Sequence, residues 1–190
     1  MPPLRAMMET TEPDRTAGFA PLESGIILPI PEAEAAVGQL RRLHDPQARY
    51  GVPAHITLLY PFAHPSRVGD AAAALQRLFR RVPTFEFSLA EVRQFPQTVY
   101  LHPEPSHTFV RLVQMLVQEW PQFPPYRGAF SAVIPHLTVA DHCAADVRNT
   151  VDASVASRLP IRCRASEAWL MCSDEEGFWS RRDVFRFGEP

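Results

Sequence analysis

Hydrophobic positions along the chain switch between a period of two and a period near 3.6, and the switches set out a series of short strands and helices. From Gly25 an apolar run of Ile26, Ile27, Leu28 and Ile30, punctuated by Pro29 and Pro31, suits a buried strand near its end. Pro31-Glu-Ala-Glu then opens a helix to about Leu43, with the proline and acidic residues that a helix N-terminus favours. A strand over residues 55–60 is stopped by Pro61, and an Ala-rich helix follows over 69–80. Residues 85–92 alternate as a half-buried strand does, with 98–102 as the hairpin partner. A helix over 106–120 sets Val110, Val113, Leu116 and Val117 on one face. Residues 121–127 hold three prolines and read as a loop. Then come a strand over 135–140, a helix over 144–158, and strands over 161–165, 168–172 and 179–187, the last two joined by an acidic turn ending at Gly177.

The order is strand, helix, strand, helix, strands, and the second half repeats the plan of the first. The expected fold is therefore α+β and bilobed. Two pseudo-symmetric lobes, each a mostly antiparallel sheet with outer helices, should flank a central cleft that is the expected ligand site. Residues 1–21 carry Pro, Thr, Glu and Asp and little that packs, so they read as a disordered N-terminal tail before one bilobed domain over 22–188.

Composition narrows the chemistry. The 190 residues, 46% hydrophobic, suffice for one domain with a real core. A formal net charge of -2 speaks against a broad non-specific DNA-binding surface, while leaving room for a small basic cleft. All 19 basic residues are Arg, which excludes a Walker-type ATP site, a lysyl-adenylate intermediate and a Schiff-base lysine. Three cysteines without a C-x-x-C pair read as reduced thiols of a cytoplasmic protein. No apolar run is long enough to span a bilayer, and the first residues lack the apolar core of a secretory signal.

Two tetrapeptides then stand out. His55-Ile56-Thr57-Leu58 and His136-Leu137-Thr138-Val139 share one pattern, each follows a proline closely, and they occupy equivalent places in the two halves. On a strand, residues i and i+2 share a face, so each His lies beside its own Thr while the apolar residues anchor the other face. Such a pair suits a phosphodiester. One neutral imidazole takes a proton from the attacking oxygen, and the other, protonated, gives one to the leaving oxygen. The two Thr hydroxyls can bind the non-bridging phosphoryl oxygens. No metal and no cofactor are called for.

These residues resemble the two-histidine (2H) phosphoesterase superfamily, which includes bacterial 2'-5' RNA ligases and cyclic phosphodiesterases. The resemblance rests on HITLLYPF at 55–62, FPQTVYLHPEP at 95–105, PHLTVA at 135–140 and the closing WSRRDVFRFG, and it spans about residues 22–188. It implies a bilobed fold with the motifs facing across a cleft, His55 and His136 as catalytic residues, and Thr57 and Thr138 as phosphate ligands. It further implies substrates such as RNA ends, cyclic nucleotides or other small phosphodiesters. Some RNA ligases of the family carry a basic residue shortly after the second motif. Here Asp141-His142 stands there, which favours the cyclic phosphodiesterase-like group.

The expected enzyme is thus a metal-independent phosphoesterase, a monomer without membrane attachment, that opens 2',3'-cyclic phosphates or makes and cleaves 2'-5' linkages. The alternative is a catalytically weak protein of the same fold that binds RNA ends or nucleotides. Tyr60, Phe62, Tyr126 and Phe130 flank the motifs and offer either a stacking surface for a base or core packing. Arg127 offers a phosphate contact or a solvated loop charge. His44, His64, His102, His107 and His142 lack metal-ligand spacing and read as surface histidines.

Overall fold

In the computed structural model, which describes residues 21–189, the chain forms two four-stranded antiparallel sheets. Residues 1–20 of the expected tail lie outside the described residues. The first sheet has the order β2-β1-β7-β8, from β1 (Ser24–Pro29), β2 (His55–Leu59), β7 (Glu167–Ser173) and β8 (Trp179–Arg186). The second has the order β5-β4-β3-β6, from β3 (Phe85–Phe95), β4 (Thr98–Glu104), β5 (Leu137–Ala140) and β6 (Ile161–Ala165). The helices are α1 (Glu34–His44), the short α2 (Pro46–Arg49), α3 (Gly69–Arg80), α4 (His107–Glu119) and α5 (Ala145–Ala156). The α+β bilobed architecture is the one the hydrophobic pattern implies.

The lobes are not the two halves of the sequence. The last hairpin, β7–β8, returns to pair with β1, so one sheet combines both ends of the described chain and the other is built from its middle. Along the chain the repeat runs through β1-α1-β2-α3 and β4-α4-β5-α5, and β7–β8 take in the first sheet the places that β3–β6 take in the second. Periodicity within each strand could not show which neighbour the last hairpin would choose, because that choice rests on contacts distant in sequence.

The helices also cross over. Helix α1 leaves the first sheet yet packs on β5 of the second, and α4 leaves the second yet packs on β2 of the first. Strands β2 and β5 thus become the inner edges of the two sheets, each covered by a helix, and they lie beside one another. Covering an edge in this way shields unpaired backbone groups from other chains. Ile56 and Leu58 of β2 share one core with Leu137 and Val139 of β5, so the two sheets are joined by a common apolar centre. Each such fully buried Leu or Ile contributes about 1.5–3 kcal/mol over its exposed state. Phe79 of α3 stacks on Phe185 and Phe187, pinning the returning C-terminal strand.

A second, smaller apolar cluster of Ile27, Val52, Met171 and Trp179 lies on the other face of the first sheet. Register explains it. Ile27 pairs with Thr57 on one side and with Trp169 on the other, and residues directly opposite in an antiparallel ladder point the same way. Thr57, Ile27 and Trp169 therefore form one row on the face turned away from the main core.

Candidate active site

The first motif starts at the first residue of β2. His55 is 7% exposed, and its Nδ1 lies 2.7 Å from the Pro53 carbonyl. A carbonyl only accepts, so Nδ1 carries the proton and Nε2 is left with its lone pair when the ring is neutral. That Nε2 lies 3.2 Å from Thr57 Oγ1, which donates to it. The i, i+2 spacing of the strand makes this His–Thr contact.

The second motif repeats the device. His136 Nδ1 lies 2.7 Å from the Ile134 carbonyl, so its Nε2 is again the nitrogen turned to other partners. Its ring meets Phe95 and Tyr100 at centroid distances of 5.3 and 5.4 Å, both edge to face. Tyr100 pairs with Thr138 in the β4–β5 ladder, so Thr138 shares that face. One boundary differs from the sequence reading: β5 begins at Leu137, and His136 stands just before it, because Pro135 has no N–H with which to extend the ladder.

The two histidines differ in surroundings. His136 is half-buried, whereas His55 is buried. Burial, then the positive charge of Arg41, push the His55 imidazole down to about 3, and the charge of His136 acts in the same direction. The two motifs are therefore near enough to influence each other electrostatically. Arg41 itself is 2% exposed and pairs with Asp45 through Nε at 3.1 Å and Nη2 at 2.9 Å, with a further bond from Nη2 to the Val52 carbonyl at 3.2 Å.

This depressed imidazole has a consequence for stability. Between about pH 3 and the unfolded value near 6.5, the unfolded chain binds a proton at residue 55 that the folded chain does not. Stability must then fall as pH falls through that window. From pH 7 to pH 5 the loss from His55 amounts to about 2 kcal/mol, on linkage arithmetic of about 1.4 kcal/mol per pH unit. Urea unfolding of wild type and His55→Gln at both pH values checks this. The acid-induced loss should shrink by that amount in the variant, and an equal loss in both proteins would contradict it.

A model of the 2'-5' RNA ligase superfamily matches residues 29–177, and both motifs fall inside the match. The chain belongs to this superfamily. Membership supports a phosphoesterase-type function. A comparison with curated proteins returns no match. Among solved structures the fold is similar to E. coli LigT complexed with NADP+, at 18% identity and a TM-score of 0.58, covering 90% of this chain and 100% of LigT. It is similar also to TT0787 of Thermus thermophilus, at 20% identity and a TM-score of 0.61, covering 88% of this chain and 100% of that one. A structure described as a phosphoesterase aligns at 20% identity and a TM-score of 0.58, over 89% of this chain and 100% of its own.

Of the other residues singled out in this superfamily member, Tyr60, Tyr126 and Arg127 come together around Glu23. Tyr60 donates its hydroxyl to Glu23 Oε2, and Arg127 pairs with Glu23 Oε1. Burial and the Glu23 carboxylate raise the Tyr60 phenol above its usual range, so it stays a donor. Arg127 is thus a partner of Glu23 and not simply a solvated loop charge. The Tyr126 ring stands edge-on to both Tyr60 and Phe130, and Phe130 is 43% exposed. Phe62 does not join them. It is 6% exposed and packs against Trp120 and Phe123, so the core claims it.

His102 departs from the surface reading as well: it lies in β4 and is 9% exposed, because the strand runs on past it to Glu104. His64, His107 and His142 are exposed and His44 is half-buried. Sequence reasoning passed over Glu23, Arg41 and Trp169. Arg41 carried one usable signal, since Arg41 and Asp45 stand at the i, i+4 spacing that joins opposite charges on a helix. No group of three or more His, Cys, Asp or Glu among the described residues could hold a metal ion. No helix among them is long and apolar enough to cross a membrane.

Proposed function

We propose that this chain is a metal-independent phosphoesterase of RNA-type or nucleotide phosphodiesters that uses His55 and His136 as an acid–base pair. The observation that carries the reading is the matched tethering of the two imidazoles. Each gives Nδ1–H to the carbonyl two residues back, and each thereby turns Nε2 toward other partners. E. coli LigT, whose fold is similar, has been crystallised with NADP+, ATP, 3'-AMP and phosphate, which supports a nucleotide or phosphate ligand.

Roles follow from the unequal surroundings. His55, buried beside the Arg41 charge, rests neutral without ligand, and a bound phosphate's negative charge would raise its proton affinity toward that of a general base for water or a ribose hydroxyl. His136 is more open and suits the general acid toward the leaving oxygen. In the ligand-free geometry the Thr57 hydroxyl faces Nε2 of His55; with a phosphodiester bound, it and Thr138 turn to the non-bridging oxygens and stabilise their growing charge. Trp169, in the same cross-strand row as Thr57 and capped by Arg181 at 4.5 Å, offers an aromatic surface to a base.

The test is turnover of 2',3'-cyclic AMP in the presence of EDTA. Activity should survive the chelator, because the side chains supply both proton transfers and the charge stabilisation. Thr57→Val or Thr138→Val keeps the strand but deletes one donor and should cost about 10–10³-fold in kcat/KM. Loss of activity in EDTA that Zn²⁺ or Mn²⁺ restores would reassign the histidines as metal ligands.

A further inference from the structure

The segment that leads into the first motif is gripped from one helix. After β1 a short 3-10 turn over Pro31–Ala33 brings the chain into α1, which starts at Glu34. Glu34 and Arg41 lie about two turns apart on α1 and so share a face. Both reach residues 52–54. Arg41 Nη2 donates to the Val52 carbonyl at 3.2 Å, and Glu34 Oε1 accepts from the Ala54 backbone N–H at 2.9 Å. Ala54 is 1% exposed, so its N–H needs a partner within the protein, and Glu34 supplies it.

The Ala54 N–H and the Pro53 carbonyl belong to the same peptide group. Such a group is planar, and in the trans form its N–H and C=O point in opposite directions. Glu34 therefore holds one end of the plane whose other end accepts from His55 Nδ1 at 2.7 Å. A rotation of that plane would swing the carbonyl off the imidazole. Polarisation follows the same route, because a carboxylate on the N–H makes the carbonyl of that amide a better acceptor. Gly38 fits the arrangement. A glycine inside a helix costs about 1 kcal/mol relative to alanine. A Cβ at residue 38 would stand 2.5 Å from Glu34 Oε2, so the bare backbone there leaves room for the carboxylate.

We propose that Glu34 is a positioning residue for His55: through one peptide plane its carboxylate fixes the carbonyl that aims the imidazole. The inference rests on the catalytic reading of His55. A carboxylate that orients a catalytic imidazole directly accepts from the ring N–H itself; here a peptide group stands between the two. The Nδ1 proton is thereby kept in place, and Nε2 keeps the lone pair that a general base needs. Acidic residues also favour a helix N-terminus for their charge alone, and Glu34 is the first residue of α1. Reach and charge separate the two roles.

Glu34→Gln keeps an acceptor oxygen at the same reach and loses the charge. Glu34→Asp keeps the charge and stops one methylene short, and Glu34→Ala loses both. The kcat and KM on 2',3'-cyclic AMP are measured for wild type and the three variants, and ¹⁵N-histidine-labelled protein reports the Nδ1 proton of His55 by NMR. Wild type and E34Q should share a downfield Nδ1 proton, and E34Q should retain most of the kcat. E34D and E34A should lose about 10–100-fold in kcat with KM nearly unchanged, as a misplaced catalytic group implies, and their Nδ1 proton should move upfield. A greater loss in E34Q than in E34D would assign Glu34 to the helix dipole and overturn the proposal. So would an equal loss in all three variants, or a kcat or Nδ1 proton left unchanged in E34A. Glu34 is exposed, so the variants are expected to fold, which circular dichroism establishes; should E34A not fold, E34D carries the test. Absence of wild-type turnover would refute the functional reading instead, and the Nδ1 proton would still decide the role of Glu34.

Discussion

Alanine at either His55 or His136 is expected to lower kcat/KM on a 2',3'-cyclic nucleotide by about 10²–10⁴-fold, the usual contribution of a positioned proton-transfer group. Alanine at both should be little worse than the poorer single variant. Proton removal from the attacking oxygen and proton delivery to the leaving oxygen serve one displacement, so once either partner is gone the other has little left to do. A double variant whose losses multiplied would mean that the two rings act independently. The structure makes this test clean at residue 55. The His55 ring bonds only the Pro53 carbonyl and Thr57 among the described residues, so its removal leaves no buried ion unpaired. Steady-state kinetics of wild type, both single variants and the double variant, with circular dichroism to establish folding, gives the answer. Near wild-type turnover by either single variant would refute the acid–base pair.

Asp45→Ala should destabilise the fold by about 3–5 kcal/mol, the range for removing one partner of a buried ion pair and leaving the other charge uncompensated. Arg41 would then be buried with only the Val52 carbonyl as acceptor. Asp45 also caps α2, accepting from the Gln47 backbone N–H at 3.0 Å, and loss of a cap contributes about 1 kcal/mol within that total. Replacing both residues with apolar ones, Arg41→Met with Asp45→Leu, should cost much less, since no charge is then stranded. The double replacement also removes the cation that acts on His55, so the His55 imidazole should titrate at a higher pH than in wild type. Urea unfolding measures the first effect and histidine NMR titration the second. A loss under about 1 kcal/mol in Asp45→Ala would show that water reaches Arg41 freely.

The sequence alone determined the local elements and the motif chemistry. Alternation of period two marked β3 and a continuous apolar run marked β1, which is buried on both faces, and the stops at Pro61 and around Pro121–Pro125 follow from the geometry of proline itself. The i, i+2 spacing of His and Thr in each motif was enough to place them on one face, and for His55 and Thr57 it makes the contact seen. Two copies of one motif in equivalent strand–helix–strand units were enough to imply two lobes. Only the tertiary structure decided how those lobes were assembled. Strands β7 and β8 return to β1, α1 and α4 exchange sheets, and the motif strands thereby become adjoining inner edges. Each of these depends on contacts between residues distant along the chain, which no local period encodes. The same holds for individual side chains. Phe62 went to the core, Arg127 to Glu23, and His102 to a buried position in β4. Arg41 came to lie where its charge bears on His55 because α1 crosses to the opposite sheet. Burial and charge at a site are sums over everything packed around it, and that sum exists only once the chain has folded.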